Sequence, residues 1–90
     1  MRLTVHGRVQ GVGYRYSIIE HIERHQIMVR GFVENLPNGT VFILAQGDIE
    51  ALKDLRRFAV EGSNRSEVRE IEEVYHDISE YNYDSFEIKY

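Results

Sequence analysis

The residues best suited to chemistry lie in one run near the start of the 90-residue chain, Gly7-Arg8-Val9-Gln10-Gly11-Val12-Gly13-Tyr14-Arg15. Glycine enters left-handed backbone conformations readily and carries no Cβ to block a ligand. Glycines at 11 and 13 therefore allow several backbone N–H groups of one turn to converge, which makes a nest for an anion. A helix starting after that turn adds the partial positive charge of its N-terminus. Arg15 falls at the helix start, where its guanidinium can donate two parallel N–H bonds to a phosphate or a carboxylate. Taken alone, Gly-x-Gly spacing is also that of a plain tight connection, and an arginine opening a helix is commonly a solvated surface residue.

The flanking elements must hold this run in place. Leu3, Val5, Gly7 and Val9 alternate with Arg2, Thr4, His6 and Arg8, the pattern of a half-buried strand. Ile18, Ile19, Ile22 and Gln26 keep helical spacing and predict a helix from 15 to about 27. Residues 29–35 and 40–46 read as strands around Leu36-Pro37-Asn38-Gly39. Proline presets φ there and glycine accepts the left-handed position, so the pair is a hairpin. Asp48 suits an N-cap, Ile49, Leu52, Leu55 and Ala59 mark the buried stripe of a second helix, and Gly62 ends it. Over 66–78 the apolar residues Val68, Ile71, Val74, Tyr75 and Ile78 recur every three to four positions, which by itself is a helical pattern. Residues 79–84 read as a loop, and Phe86, Ile88 and Tyr90 alternate as a last strand.

Composition bounds the functions open to the chain. Ninety residues with 42% hydrophobic content suit a single domain spanning 1–90. With no cysteine, a disulfide scaffold, a thiol nucleophile and a thiolate metal site are all excluded. Met1-Arg2 leads directly into a strand pattern, and no apolar run suits a signal or a membrane span, so a soluble cytoplasmic protein is expected. A formal net charge of −4 argues against a nucleic-acid binder, although Arg8 and Arg15 can still attract a small anion locally. His21 and His25 stand at i and i+4, but His-Ile-Glu-Arg-His is not the zinc-protease order and no third ligand is evident. His6 points outward, His76 has no partner, and Glu70, Glu72 and Glu73 read as a solvated edge. No metal and no cofactor is assigned.

A second run, Gly31-Phe32-Val33-Glu34-Asn35 before Leu36-Pro37-Asn38-Gly39, completes a pattern. Together the two runs resemble the signature of the acylphosphatase family. Gly7, Val9, Gln10, Gly11, Val12, Tyr14 and Arg15 fit its first motif, and Gly31, Phe32, Val33 and Asn35 its second. The resemblance covers most of the chain and weakens after about Glu67. It implies an α+β, ferredoxin-like βαββαβ sandwich, an antiparallel sheet with two helices on one face and room for one extra short strand. On that ground 66–78 is read as a strand despite its spacing. It further implies hydrolysis of small acyl phosphates to a carboxylate and inorganic phosphate, the latter a competitive inhibitor. Gln10, Gly11, Val12, Gly13, Tyr14 and Arg15 would form the phosphate-binding loop, with Arg15 and Asn35 catalytic and Asn35 holding the attacking water. The aromatic side chains of Tyr14 and Phe32 are expected in the core or pocket wall. A monomer without nucleic-acid or membrane partners is expected.

Two alternatives share the element order. RNA-recognition domains do, and Arg30-Gly31-Phe32-Val33 superficially matches one of their strands, but on the second strand rather than the third and without a second stacking aromatic. Larger proteins of hydrogenase maturation carry an acylphosphatase-like domain, whereas this chain shows no zinc-finger cysteines. One departure bears on the site. Arg15 and Asn35 stand 20 positions apart (35 − 15), a longer interval than the family's usual one. Ile27-Met28-Val29 replaces the family's Leu-Gly-Leu, with Met28 where a helix-ending glycine is expected. A helix extended by part of a turn, or a bulged exit, is the expected consequence.

Overall fold

Alternation of apolar and polar residues builds the sheet. In the computed structural model, which describes residues 1–77 and 80–90, β1 (Arg2–Arg8) buries Leu3 and Val5 completely. β2 (Val29–Asn35) and β3 (Val41–Gly47) repeat the pattern with Val29 and Val33, then Val41, Ile43 and Ala45. α1 (Tyr14–Arg24) adds Tyr14, Ile18 and Ile22, and α2 (Ile49–Glu61) adds Leu52, Leu55 and Ala59. These side chains form one cluster, so both helices cover the same face of the sheet. Burying a residue such as Leu55 in that layer contributes roughly 1.5–3 kcal/mol.

β4 (Glu67–Val74) and β5 (Phe86–Lys89) complete five strands in the order β4-β1-β3-β2-β5. The first four are antiparallel, as the βαββαβ order requires. The extra strand β5 lies parallel to β2 at the edge, with Gly31 opposite Phe86 and Val33 opposite Ile88, so the whole sheet is mixed.

The helical spacing over 66–78 has a local cause. Val5 pairs with Ile71 and Gly7 with Val68, so two steps along β1 match three along β4. This bulge places both Val68 and Ile71 against the core, three residues apart, and imitates a helix. Gly7 sits at the shift with φ 132°, and a Cβ there would run into the Glu67 carbonyl oxygen. The strand ends at Val74, and Ile78 and Ser79 lie outside the described residues.

α1 is shorter than its periodicity predicts. It ends at Arg24 with His25 as C-cap, and the Ile27 N–H donates to the Ile22 carbonyl at 2.9 Å in a Schellman-type closure. Gln26 takes the left-handed position at φ 52°, the one non-glycine with positive φ among the described residues. Gln26 therefore ends the helix as the missing glycine would, α1 is not extended, and Met28 is 80% exposed beyond the turn.

Candidate active site

β1 delivers the chain into a loop whose two glycines, Gly11 at φ 72° and Gly13 at φ 78°, are both left-handed. A Cβ on either would meet nothing within 4 Å, so conformation, not crowding, demands glycine there, and the space beside the loop is open. Gly13 is also the N-cap of α1 and has no side chain to bond the first turn. Ser17 is the first residue whose N–H closes onto the helix, at 3.0 Å from the Gly13 carbonyl. The N–H groups of Tyr14, Arg15 and Tyr16 thus have no intrahelical partner, and no acidic residue occupies the first turn. The end keeps its donors and its partial positive charge.

This loop borders a cavity of about 130 Å³, the volume of roughly four waters. Gly11, Gly13, Tyr14 and Arg15 line it from one side, Asn35 from the end of β2, and no carboxylate lines it. Arg15 has no acidic partner among the described residues; its guanidinium carbon instead lies 5.2 Å from the centroid of the Tyr90 ring. Asn35 carries a buried amide oxygen with no hydrogen-bond donor, a single such orphan among the described side chains. Leaving an acceptor buried and unpaired costs about 1–3 kcal/mol, which a bound donor would recover.

Two of the six expected loop residues stand back from the cavity. Val12 is buried in the core. Gln10 donates through Nε2 to the carbonyls of Leu36 and Thr40, each at 2.8 Å. Its amide therefore ties the loop to the hairpin that follows Asn35, a positioning role that its place in a loop motif did not reveal. The hairpin is closed by Leu36 N–H to the Thr40 carbonyl at 2.9 Å, and Asn38 accepts from the Thr40 N–H and hydroxyl. Tyr14 splits its duties. Its ring is in the core, where burial pushes the phenol well above its ordinary pKa, and its hydroxyl donates to the Ala59 carbonyl at 2.8 Å. From Val29 onward β2 keeps unbroken register with β3, ending at Asn35 opposite Val41.

Other chemistry-bearing side chains are engaged elsewhere. His21 bonds Asp54 across the helices at 2.8 Å and stacks on Phe58 at 4.2 Å, with the His25 ring 4.6 Å away. Glu70, Glu72 and Glu73 are exposed on the edge strand β4, as expected, and Arg56 grips Glu73 in two hydrogen bonds and holds its carboxyl below the usual range. His6 bonds Glu72 at 2.7 Å, and the ligand atoms of His6, Glu70 and Glu72 lie within 4.8 Å of one another. These three could reach one cation, but none lines the loop cavity. Phe32 is absent from the cavity wall and packs instead with Phe42 and Tyr83.

A ferredoxin-like sandwich whose first helix opens on a double-glycine loop defines the structural class. Against known proteins, the Acylphosphatase family model matches residues 1–88. An acylphosphatase of Petrotoga mobilis is 38% identical over 89 residues, covering 99% of this chain and 96% of that one. The crystal structure of acylphosphatase from Bacillus subtilis matches with a TM-score of 0.86 at 36% identity, over 99% of this chain and 96% of that chain. HypF of T. kodakarensis shares the fold, with a TM-score of 0.78 at 22% identity, but 99% of this chain spans only 12% of that protein. The chain belongs to the acylphosphatase family and is an enzyme that hydrolyses acyl phosphates.

Proposed function

We propose that the 130 Å³ cavity is the catalytic centre, with the loop from Gln10 to Arg15 binding the phosphoryl group and Asn35 holding the attacking water. The observation that carries this reading is the unpaired buried Oδ1 of Asn35, a residue that lines the same small cavity as an arginine without a carboxylate partner. Loop N–H groups and the guanidinium donate to phosphoryl oxygens and spread their charge. Water donates one hydrogen to Asn35 Oδ1, which aims an oxygen lone pair at phosphorus in line with the departing oxygen. The new P–O bond forms as the P–O bond to the acyl group breaks, and the bonding pair leaves on the carboxylate. An amide is too weak a base to take the water's proton, so that proton passes to a phosphoryl oxygen.

Because a carboxylate is a stable leaving group, the reaction needs no strong general acid. It needs no metal or other cofactor either, since the loop and Arg15 supply the positive field. The substrates on this reading are small acyl phosphates met in the cytoplasm by a monomer acting as one domain over residues 1–90, with no membrane or nucleic-acid partner. Inorganic phosphate, the product, competes for the same loop.

The test is Asn35→Ala assayed on benzoyl phosphate in metal-free buffer. Water alignment matters mainly in the transition state, so kcat should fall by about 10²-fold while phosphate inhibition stays near normal. A normal kcat with a lowered melting temperature would make Asn35 a turn residue and remove it from the site.

A further inference from the structure

Arg15 reaches the cavity without a carboxylate to hold it, yet it is bracketed. The Tyr90 ring lies against its guanidinium, with Cζ 5.2 Å from the ring centroid. The Tyr90 hydroxyl in turn shares a 3.0 Å hydrogen bond with the hydroxyl of Tyr16. Tyr16 follows Arg15 in the first turn of α1 and lines the same cavity. The three side chains therefore close a loop from the helix start to the residue after β5 and back.

The chemistry of that bracket matters. A cation over a ring is held through the ring's π-face, while its N–H donors lie in the guanidinium plane and stay available. A carboxylate in the same place would occupy the fork and cancel its charge. An arginine side chain also has many rotamers, and restricting them before the ligand arrives lowers what binding must immobilise.

We propose that Tyr90, tethered by Tyr16, is a positioning residue that stacks on Arg15 and presents its guanidinium fork to the phosphoryl group. The proposal rests on Arg15 being the phosphate clamp. Tyr90 is 87% exposed, so the contact is a solvated one. Its expected weight is about two- to fivefold in phosphate affinity and KM, with kcat close to unchanged.

The experiment titrates inorganic phosphate into the wild type, Tyr90→Leu, Tyr90→Phe, Arg15→Ala and the Arg15→Ala/Tyr90→Leu double variant. NMR follows binding and the side-chain Nε–H resonance of Arg15, and benzoyl phosphate kinetics are run on the variants that keep Arg15. Tyr90→Leu should weaken phosphate binding and raise KM by that factor, shift the Arg15 resonance through loss of the ring current, and leave the melting temperature unaltered. Tyr90→Phe keeps the ring and should recover most of the affinity. In the Arg15→Ala background, Tyr90→Leu should cost nothing further. If Tyr90→Leu leaves affinity, KM and the resonance unchanged while Arg15→Ala abolishes binding, positioning is wrong and the clamp stands. Equal losses in both backgrounds would make Tyr90 a direct wall of the site and also overturn the proposal. Full phosphate binding by Arg15→Ala would remove the clamp itself, and the proposal with it.

Discussion

The two helices start in opposite ways. α1 begins on Gly13, left-handed, with no side-chain cap and no acid in its first turn, and an arginine stands beside its free N–H groups. α2 likewise has no side-chain cap bond, but it begins on an acid, Asp48, in extended conformation, with Glu50 in its first turn. Both ends carry the partial positive charge of aligned peptide dipoles. At α2 that charge is met by the chain's own carboxylates, and the wider cavity there is lined by Asp48, Asp77 and Glu80. At α1 no carboxylate among the described residues meets it. A helix end left unneutralised, next to an unpaired acceptor and an arginine without a carboxylate, is what we propose a phosphoryl group completes.

The largest test of that contrast removes the cation. Arg15→Ala should lower kcat/KM by about 10²–10³, the loss of about 3 kcal/mol of transition-state stabilisation, with the fold intact by circular dichroism. Arg15→Lys should rescue little, because an ammonium cannot reproduce the two-pronged geometry. Near-normal kcat/KM in Arg15→Ala would erase the functional difference between the two helix starts.

A second test gives α1 the start that α2 has. Aspartate tolerates the left-handed conformation better than most residues and can cap the helix. Gly13→Asp should therefore keep its melting temperature within a few degrees, while its carboxylate fills the anion site. Phosphate inhibition and kcat/KM should each fall at least about tenfold, the scale on which a like charge disfavours binding at short range. Undiminished phosphate inhibition would place the anion elsewhere.

A smaller effect is expected at Gln10, which joins the loop to the Asn35 hairpin. Gln10→Ala removes two side-chain bonds and should cost about 1–2 kcal/mol of stability, read in urea melts. It should also lower kcat severalfold without changing phosphate affinity, since the loop donors remain while Asn35 loses its anchor. A loss confined to phosphate affinity would instead make Gln10 a direct ligand.

The smallest effect lies at the other end of α1. Gln26 holds a left-handed conformation that costs a side-chain-bearing residue about 1–2 kcal/mol. Glycine relieves that but is more flexible when unfolded, so Gln26→Gly should stabilise by about 0.5–1 kcal/mol. Activity should not move, because the register of β2 on β3 and the Gln10 bonds to the hairpin set Asn35, and neither involves the helix exit. A change in kcat would mean that the helix exit, and not the sheet, positions the Asn35 end of β2.

Much of the fold was legible because its signals are local. The alternation in β1, the Leu36-Pro37-Asn38-Gly39 turn and the α2 stripe each depend on neighbours a few residues away. The candidate loop was legible for the same reason: Gly11 and Gly13 are glycines because the local backbone needs positive φ. Less legible was β4, where a bulge opposite Gly7 spaced Val68 and Ile71 like a helix. Periodicity counts residues along one strand, and a bulge is a property of two. The early end of α1 was missed because glutamine rarely marks a left-handed turn.

By itself, the sequence determined the conformations that the site requires: two left-handed glycines, a helix starting beside Arg15, and a strand running into a tight turn after Asn35. Only the tertiary structure decided that these meet. Pairing of β3 with both β1 and β2 brings the end of β2 beside the loop, and the Gln10 amide fastens the two together across 26 and 30 residues of chain. It also decided that Arg15 lies against Tyr90 instead of a carboxylate, and that the Asn35 oxygen is left unpaired. Such contacts depend on burial and register between distant segments, and no short window of residues contains both partners.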